Sequence, residues 1–286
     1  MNIAEKLTII AENERKIYDK GYSDNSGINP EWTDWSYMFN DGARADLIPK
    51  LKYSDTRNGT KFVNMFYYCS ITEMPELDLN KAKNLFQMCS YCTKLINAPY
   101  FNTSICTDFR GVFSSCTALK TIQGIDTQKA TDISNMFSQC SSLKIIPNLC
   151  LDNVTNMQGC FKGCASITEV DNLNSGKCTN FSGTFNNCFN LKEIKGIDIS
   201  KATSISDMFS YCSKLEKIVF NGTVNVNNLT MSACNNLTHD SLMSLINALA
   251  DRSGTTSYTL TLGTTNLAKL TEEEKTIATD KGWVLK

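Results

Sequence analysis

The chain has 286 residues, 42% of them hydrophobic, and a formal net charge of −1. That near-neutral balance gives no excess positive charge to draw the protein onto nucleic acid or an anionic membrane. No run of about 20 apolar residues occurs, so no membrane-spanning helix is expected.

Residues 1–22 read as a helix, with Ile3, Leu7, Ile10 and Ile17 on one stripe that Glu14 interrupts. Such a stripe suits packing on the coil that follows, or a short seam for attachment or homo-oligomerisation. With Glu5, Glu12, Glu14 and Asp19 it lacks the basic start and unbroken apolar stretch of a signal peptide, so no secretion leader is expected there. Residues 23–61 read as an N-terminal cap and irregular first coil. Trp32, Trp35, Met38 and Phe39 start that coil, and Ile48-Pro49 echoes Ile146-Pro147 further on.

Residues 62–237 carry about eight repeats of 24 residues. One rank is Cys69, Cys92, Cys116, Cys140, Cys164, Cys188, Cys212 and Cys234. Three residues before it (−3) lie Phe66, Cys89, Phe113, Phe137, Phe161, Phe185, Phe209 and Met231, and three after it a Leu or Ile recurs from Leu95 to Leu237. Six after it (+6) lie Ile122, Ile146, Val170, Ile194 and Ile218. Apolar residues at −7, −4, −3 and 0 have the spacing of a helix face, so a short helix or helical turn is predicted to end near each cysteine. The short, often β-branched segment around +6 predicts a strand of two or three residues. Turn, corner, short strand and return loop make one coil of an α/β solenoid of the leucine-rich-repeat type, right-handed, with short parallel strands.

The same ranks account for the cysteines. Thirteen is an odd number, and a chain this long has no need of disulfide staples. Cys89 takes the place of the −3 phenylalanine, Cys160 sits at −4, and Cys106 and Cys178 share an inward rank with Ala130, Val154 and Ala202. Twelve therefore occupy positions that want a small apolar group, a role free cysteine fills well. Only Cys150 is off-pattern, and reduced thiols are expected throughout.

Residues 238–286 read as a C-terminal cap. Thr238 can cap a helix reaching about Asp251, Ser257 to Leu262 alternates like a strand, and Thr271 to Glu274 spell a capping box for a last helix ending at Gly282. Trp283-Val284-Leu285 closes a β–α–β unit.

Little of the sequence suggests chemistry. His239 is the only histidine and has no neighbouring ligand type in sequence, so a structural or surface role is expected. Cys89-Ser90-Tyr91-Cys92 is formally a redox spacing, yet both cysteines fall on repeat ranks. Glu169 and Asp171 sit on a short strand and read as surface residues. No phosphate-binding loop, nucleophile elbow or metalloprotease motif occurs. No catalytic, cofactor-binding or metal residue is assigned, and the expected role is binding, not catalysis.

The runs Ile125-Asp-Thr-Gln-Lys-Ala-Thr-Asp-Ile-Ser-Asn-Met-Phe-Ser-Gln-Cys140-Ser-Ser-Leu143 and Ile197-Asp-Ile-Ser-Lys-Ala-Thr-Ser-Ile-Ser-Asp-Met-Phe-Ser-Tyr-Cys212-Ser-Lys-Leu215 resemble the BspA-type leucine-rich repeats of bacterial surface proteins, over about residues 62–237. That resemblance implies adhesion or recognition at a cell surface and brings no catalytic residues. Those proteins usually carry a leader, which residues 1–22 do not supply. The stretch from Ile3 to Tyr22 is similar to the opening of prophage tail-region proteins of gut Firmicutes, which implies a virion-associated, host-recognition role for a leaderless chain.

A ligand is expected on the face of the parallel sheet. Residues flanking +6 point outward, because strand side chains alternate. These are Thr121, Gln123, Ile145, Pro147, Glu169, Asp171, Glu193, Lys195, Lys217 and Val219, which vary in chemistry while the inward ranks do not. The expected partner is a protein or glycan on a cell surface. A scaffold within a larger assembly is the alternative.

Overall fold

The computed structural model describes residues 31–42, 45–171 and 173–286. The expected helix over residues 1–22, with its oligomerisation role, lies outside them. The described chain is a stack of repeats with short parallel strands, closed at its C-terminal end by a unit of three helices and three strands.

The segment before each cysteine is not a helix. In the coil ending at Cys92, the N–H groups of Leu85, Gln87, Cys89 and Tyr91 donate to Asp108, Arg110, Val112 and Ser114 of the next coil, at 2.7–3.0 Å. The alternate N–H groups of Met88, Ser90 and Cys92 turn back to Leu85, Gln87 and Cys89, at 3.0–3.2 Å. The segment is thus a ribbon of overlapping β-turns. The coil ending at Cys116 repeats the pattern through Phe109, Gly111, Phe113 and Ser115. In these two ribbons every amide is satisfied, half of them only by a neighbouring coil, which is why isolated helical turns are not what forms.

Two of the turns in each ribbon need a left-handed residue at their third position, as type II turns do. Those residues lie at −5 and −1 from the cysteine: Asn64 and Tyr68, Gln87 and Tyr91, Gly111 and Ser115, Asn135 and Gln139, Gly159 and Gly163, Gly183 and Asn187, Asp207 and Tyr211, all with φ between 52° and 72°. Glycine and asparagine suit this region, and larger residues hold it at a cost of about 1–2 kcal/mol. Side chains open each ribbon: Asn84, Asp108, Asp132, Asn156 and Asn180 accept the amide two residues on, at 2.8–3.2 Å. One residue earlier runs a threonine ladder, in which Thr131, Thr155, Thr179 and Thr203 each donate to the carbonyl of the preceding threonine at 3.2 Å. The same pattern extends to the first coil, where Tyr37 and Asp41 are left-handed and Gly42 stands at the cysteine position.

Inside the stack, Phe113, Phe137, Phe161, Phe185 and Phe209 lie face over face with centroids 5.6–5.9 Å apart. The ladder is interrupted where Cys89 replaces the phenylalanine, and Phe101 stacks on Phe113 at 5.6 Å instead. Behind it runs the cysteine rank. The thiols of Cys92, Cys116, Cys140, Cys164, Cys188 and Cys212 each donate to the carbonyl of the −3 residue in the preceding coil, at 2.9–3.1 Å. The rank wants a small group that also carries a weak donor, and cysteine meets both demands.

All thirteen cysteines are free, twelve buried and Cys150 half-buried. Burial raises the pKa of the core thiols, to about 12 at Cys116, Cys164 and Cys212. A thiol reagent added to native protein is therefore expected to give one adduct by intact mass, located at Cys150. Several fast adducts without loss of circular dichroism would contradict this packing.

On the opposite side lie β1 (Asn97–Phe101), β2 (Thr121–Ile125), β3 (Glu169–Val170), β4 (Glu193–Ile197) and β5 (Lys217–Phe220). They centre on the predicted +6 position, several run longer than expected, and they pair in parallel 24 residues apart. They form two sheets, β1-β2 and β3-β4-β5. The helix α1 (His239–Ala248) covers the open edge of β5: Thr238 N–H donates to Glu216 and Ile218 N–H donates to the Ser241 hydroxyl. On the turn-ribbon side the ladder continues as β6 (Leu229–Thr230), β7 (Tyr258–Thr261) and β8 (Trp283–Leu285), all parallel. The short α2 (Thr264–Leu267) brings buried Asn266 against the carbonyls of Met231, Cys234 and Leu262. The last helix, α3 (Glu272–Asp280), starts with the Thr271–Glu274 capping box.

Candidate functional site

The outward face of the strands has one structural break. In regular coils the +4 amide donates to the +4 carbonyl of the coil before: Lys120 to Ile96, Lys192 to Thr168 and Glu216 to Lys192. The corresponding bonds from Lys144 to Lys120 and from Thr168 to Lys144 are not made, and residues 141–150 contain no strand. Pro147 supplies a physical reason. The +5 amides of Glu193 and Lys217 donate to the preceding coil, and strand alternation turns the +7 amide the same way. Proline at +7 therefore removes one donor toward β2. Pro99 holds the same rank within β1 without breaking it, because the coil before β1 meets it only through the single bridge from Glu73 to Asn97.

The break opens a groove of about 530 Å³ between residues 144–149 and β3. Ile145 stands 76% exposed at its rim, with Ile146, Pro147 and Leu149 along it. Opposite them are Glu169 and Asp171, held by Lys195, whose Nζ lies 2.9 Å from Asp171 and 3.5 Å from Glu169. The hydrogen bond to Asp171 raises the Lys195 pKa, so the ammonium stays charged. An apolar wall thus faces a charged one.

Of the outward residues expected from the sequence, Ile145, Pro147, Glu169, Asp171 and Lys195 come together in this groove. Thr121 and Gln123 on β2, Glu193 on β4 and Lys217 on β5 do not line it. Thr121 instead donates to Asn97 at 2.6 Å along the β1-β2 face. Leu149 and Lys144 were not among the expected site residues. Pro147 beside them was the available signal, and its effect depends on which neighbour the lost amide would have met.

The groups considered for chemistry are placed elsewhere. His239 Nε2 lies 2.8 Å from Glu274, tying the start of α1 to α3. The Glu274 pKa is lowered, first by the Thr271 amide and then by His239. Cys89 and Cys92 are both buried, Cys89 against the Met74 sulfur at 3.1 Å. Among the described residues no group of three or more His, Cys, Asp or Glu could hold a metal ion, and no helix is long and apolar enough to cross a membrane.

A family model described as "Mycoplasma protein of unknown function, DUF285" matches residues 32–144, 60–169 and 131–239. The chain belongs to the DUF285 family. The three overlapping matches start at the first coil and end where α1 begins, so the DUF285 region is the repeat stack and leaves nearly all of the C-terminal unit outside it. No curated protein and no solved structure matches the chain.

Proposed function

We propose that this DUF285 chain is a non-enzymatic recognition protein: a right-handed leucine-rich-type solenoid that binds a protein or glycan on a cell surface through its strand face. The observation that supports this reading is the groove at the sheet break. There the regular backbone ladder is given up, and an exposed isoleucine is held opposite a fixed carboxylate–lysine set. Contiguous apolar surface edged by charge is a common feature of interaction sites. The BspA-type resemblance points to display at a bacterial surface. The N-terminal resemblance offers a virion as the carrier, with the same face serving host recognition.

The test is adhesion of the labelled full chain to intact epithelial and bacterial cells. The double variant Glu169→Lys with Glu193→Lys reverses the charge on this face at exposed or half-exposed positions. It is expected to lower adhesion about ten-fold while leaving the melting temperature unchanged. Equal adhesion by both proteins would remove this face from the site. No adhesion of the parent protein to either cell type would remove the surface reading.

A further inference from the structure

Far from that groove in the chain, three tyrosines form an aromatic cluster near the N-terminal end of the stack. Tyr68 and Tyr91 stand at successive −1 positions, their rings stacked at 4.5 Å and within 4° of parallel. Tyr67 meets both edge-on, at 4.9 and 5.5 Å. Packing does not explain this arrangement. Tyr68 is 51% exposed and Tyr91 36%, and both hold left-handed backbone, with φ of 58° and 63°. The next four coils fill the same position with Ser115, Gln139, Gly163 and Asn187, so the turn itself does not ask for a ring. A large side chain kept exposed on a strained backbone points to a constraint other than stability.

Tyr68 also lines a cleft of about 380 Å³, within the usual range for small-ligand sites. Asp41, Ser70, Thr72 and Glu73 supply its polar groups, and Ile48 and Pro49 an apolar edge. Asp41 occupies the −1 position of the preceding coil, where a continued tyrosine ladder would place its next ring. Among the described residues, nothing lies within 4 Å of where a Cβ on Gly42 would stand. The tyrosine ladder thus ends at Tyr68, with the Asp41 carboxylate at the next position along the stack.

We propose that this cleft binds a carbohydrate, with a sugar ring stacked on Tyr68 and its hydroxyls donating to Asp41 and Glu73. A pyranose presents an apolar C–H face and a rim of hydroxyl donors, matching an aromatic face bordered by carboxylates. An apolar peptide side chain would take water from those carboxylates without replacing its hydrogen bonds; Asn40 Nδ2, 2.8 Å from Asp41, satisfies only one carboxylate oxygen. A quaternary ammonium would need rings that surround it, whereas these three pack on one another. The site is separate from the strand-face groove and does not depend on it.

The experiment is binding of the full chain to an array of immobilised neutral oligosaccharides of hexoses and N-acetylhexosamines. Retention on at least one glycan is expected, and Tyr68→Asn and Tyr91→Asn should each reduce it about ten-fold. Asparagine already serves this position at Asn187, so both variants should melt no lower than the parent. Asp41→Asn keeps the side-chain size and should also weaken retention. Loss of retention by Glu169→Lys with full retention by Tyr68→Asn would place the glycan on the strand face and overturn the proposal. Retention on no glycan, or equal retention by Tyr68→Asn, would overturn the proposal. So would a lower melting temperature for Tyr68→Asn with unchanged retention, since the rings would then be structural.

Discussion

Raising the pH through about 9 is expected to unfold the protein in one steep step under reducing conditions. The cause is the buried thiol rank. Burial pushes these groups up, to about 12 at Cys106, Cys116, Cys164, Cys178 and Cys212, and well above the ordinary range at Cys89, Cys140, Cys160 and Cys188. Cys92 and Cys234 are raised for the same reason. Unfolded thiols titrate near about 8.5. Below that value both states keep their protons and the stabilisation is fully present. Above it the unfolded chain releases protons that the folded chain retains, so stability falls with pH until the folded thiols titrate. Linkage costs on the order of 1 kcal/mol per thiol once the pH stands about a unit above the unfolded value. Across these eleven thiols, leaving aside Cys69 at the N-terminal cleft, the loss is on the order of the whole stability of an ordinary domain. Circular dichroism and thiolate absorbance should therefore change together. A gradual rise in thiolate absorbance while the fold persists beyond pH 11 would show that the thiols are not shielded.

Removing one ring from the phenylalanine ladder is expected to have the next largest effect. Phe161 is fully buried and stacks on Phe137 at 5.8 Å and on Phe185 at 5.6 Å. Phe161→Ala should cost about 3–5 kcal/mol in urea denaturation, because the stacked coils on both sides limit collapse of the cavity. A related pair tests the interruption at Cys89. Cys89→Phe alone should destabilise by about 1–3 kcal/mol through overpacking, since Phe101 already stacks on Phe113. Adding Phe101→Leu to Cys89→Phe should recover part of that loss, with a favourable coupling of about 0.5–3 kcal/mol. Strict additivity of the two changes would show that Phe101 does not substitute for the missing ring.

The turn ribbon shows where periodicity alone misleads. Apolar residues at −7, −4, −3 and 0 suit a helix face, but they equally suit a ribbon of turns that puts the same side chains into one core. The discriminating signal lay at −5 and −1. Asn64, Gly111, Asn135, Gly159, Gly163, Gly183 and Asn187 are poor helix formers and good left-handed residues. Tyr68, Gln87, Tyr91 and Tyr211 at the same positions obscure that signal, because large residues there are uncommon.

The cysteine rank is the clearest case of what the sequence by itself determined. Its 24-residue spacing, with phenylalanine three before and leucine or isoleucine three after, specified a stacked repeat and marked twelve cysteines as core residues, because each copy must present the same inward shape to its neighbours. Tertiary structure alone decided which coil each amide and thiol meets. That choice turns predicted helices into turn ribbons, gives the cysteine thiols their carbonyl partners, and makes proline disruptive at 147 but harmless at 99. It also brings Ile145 and Lys195, two coils apart, to one groove. Side-chain periodicity is written along the chain, whereas hydrogen-bond partners 24 residues away are fixed only when the coils stack.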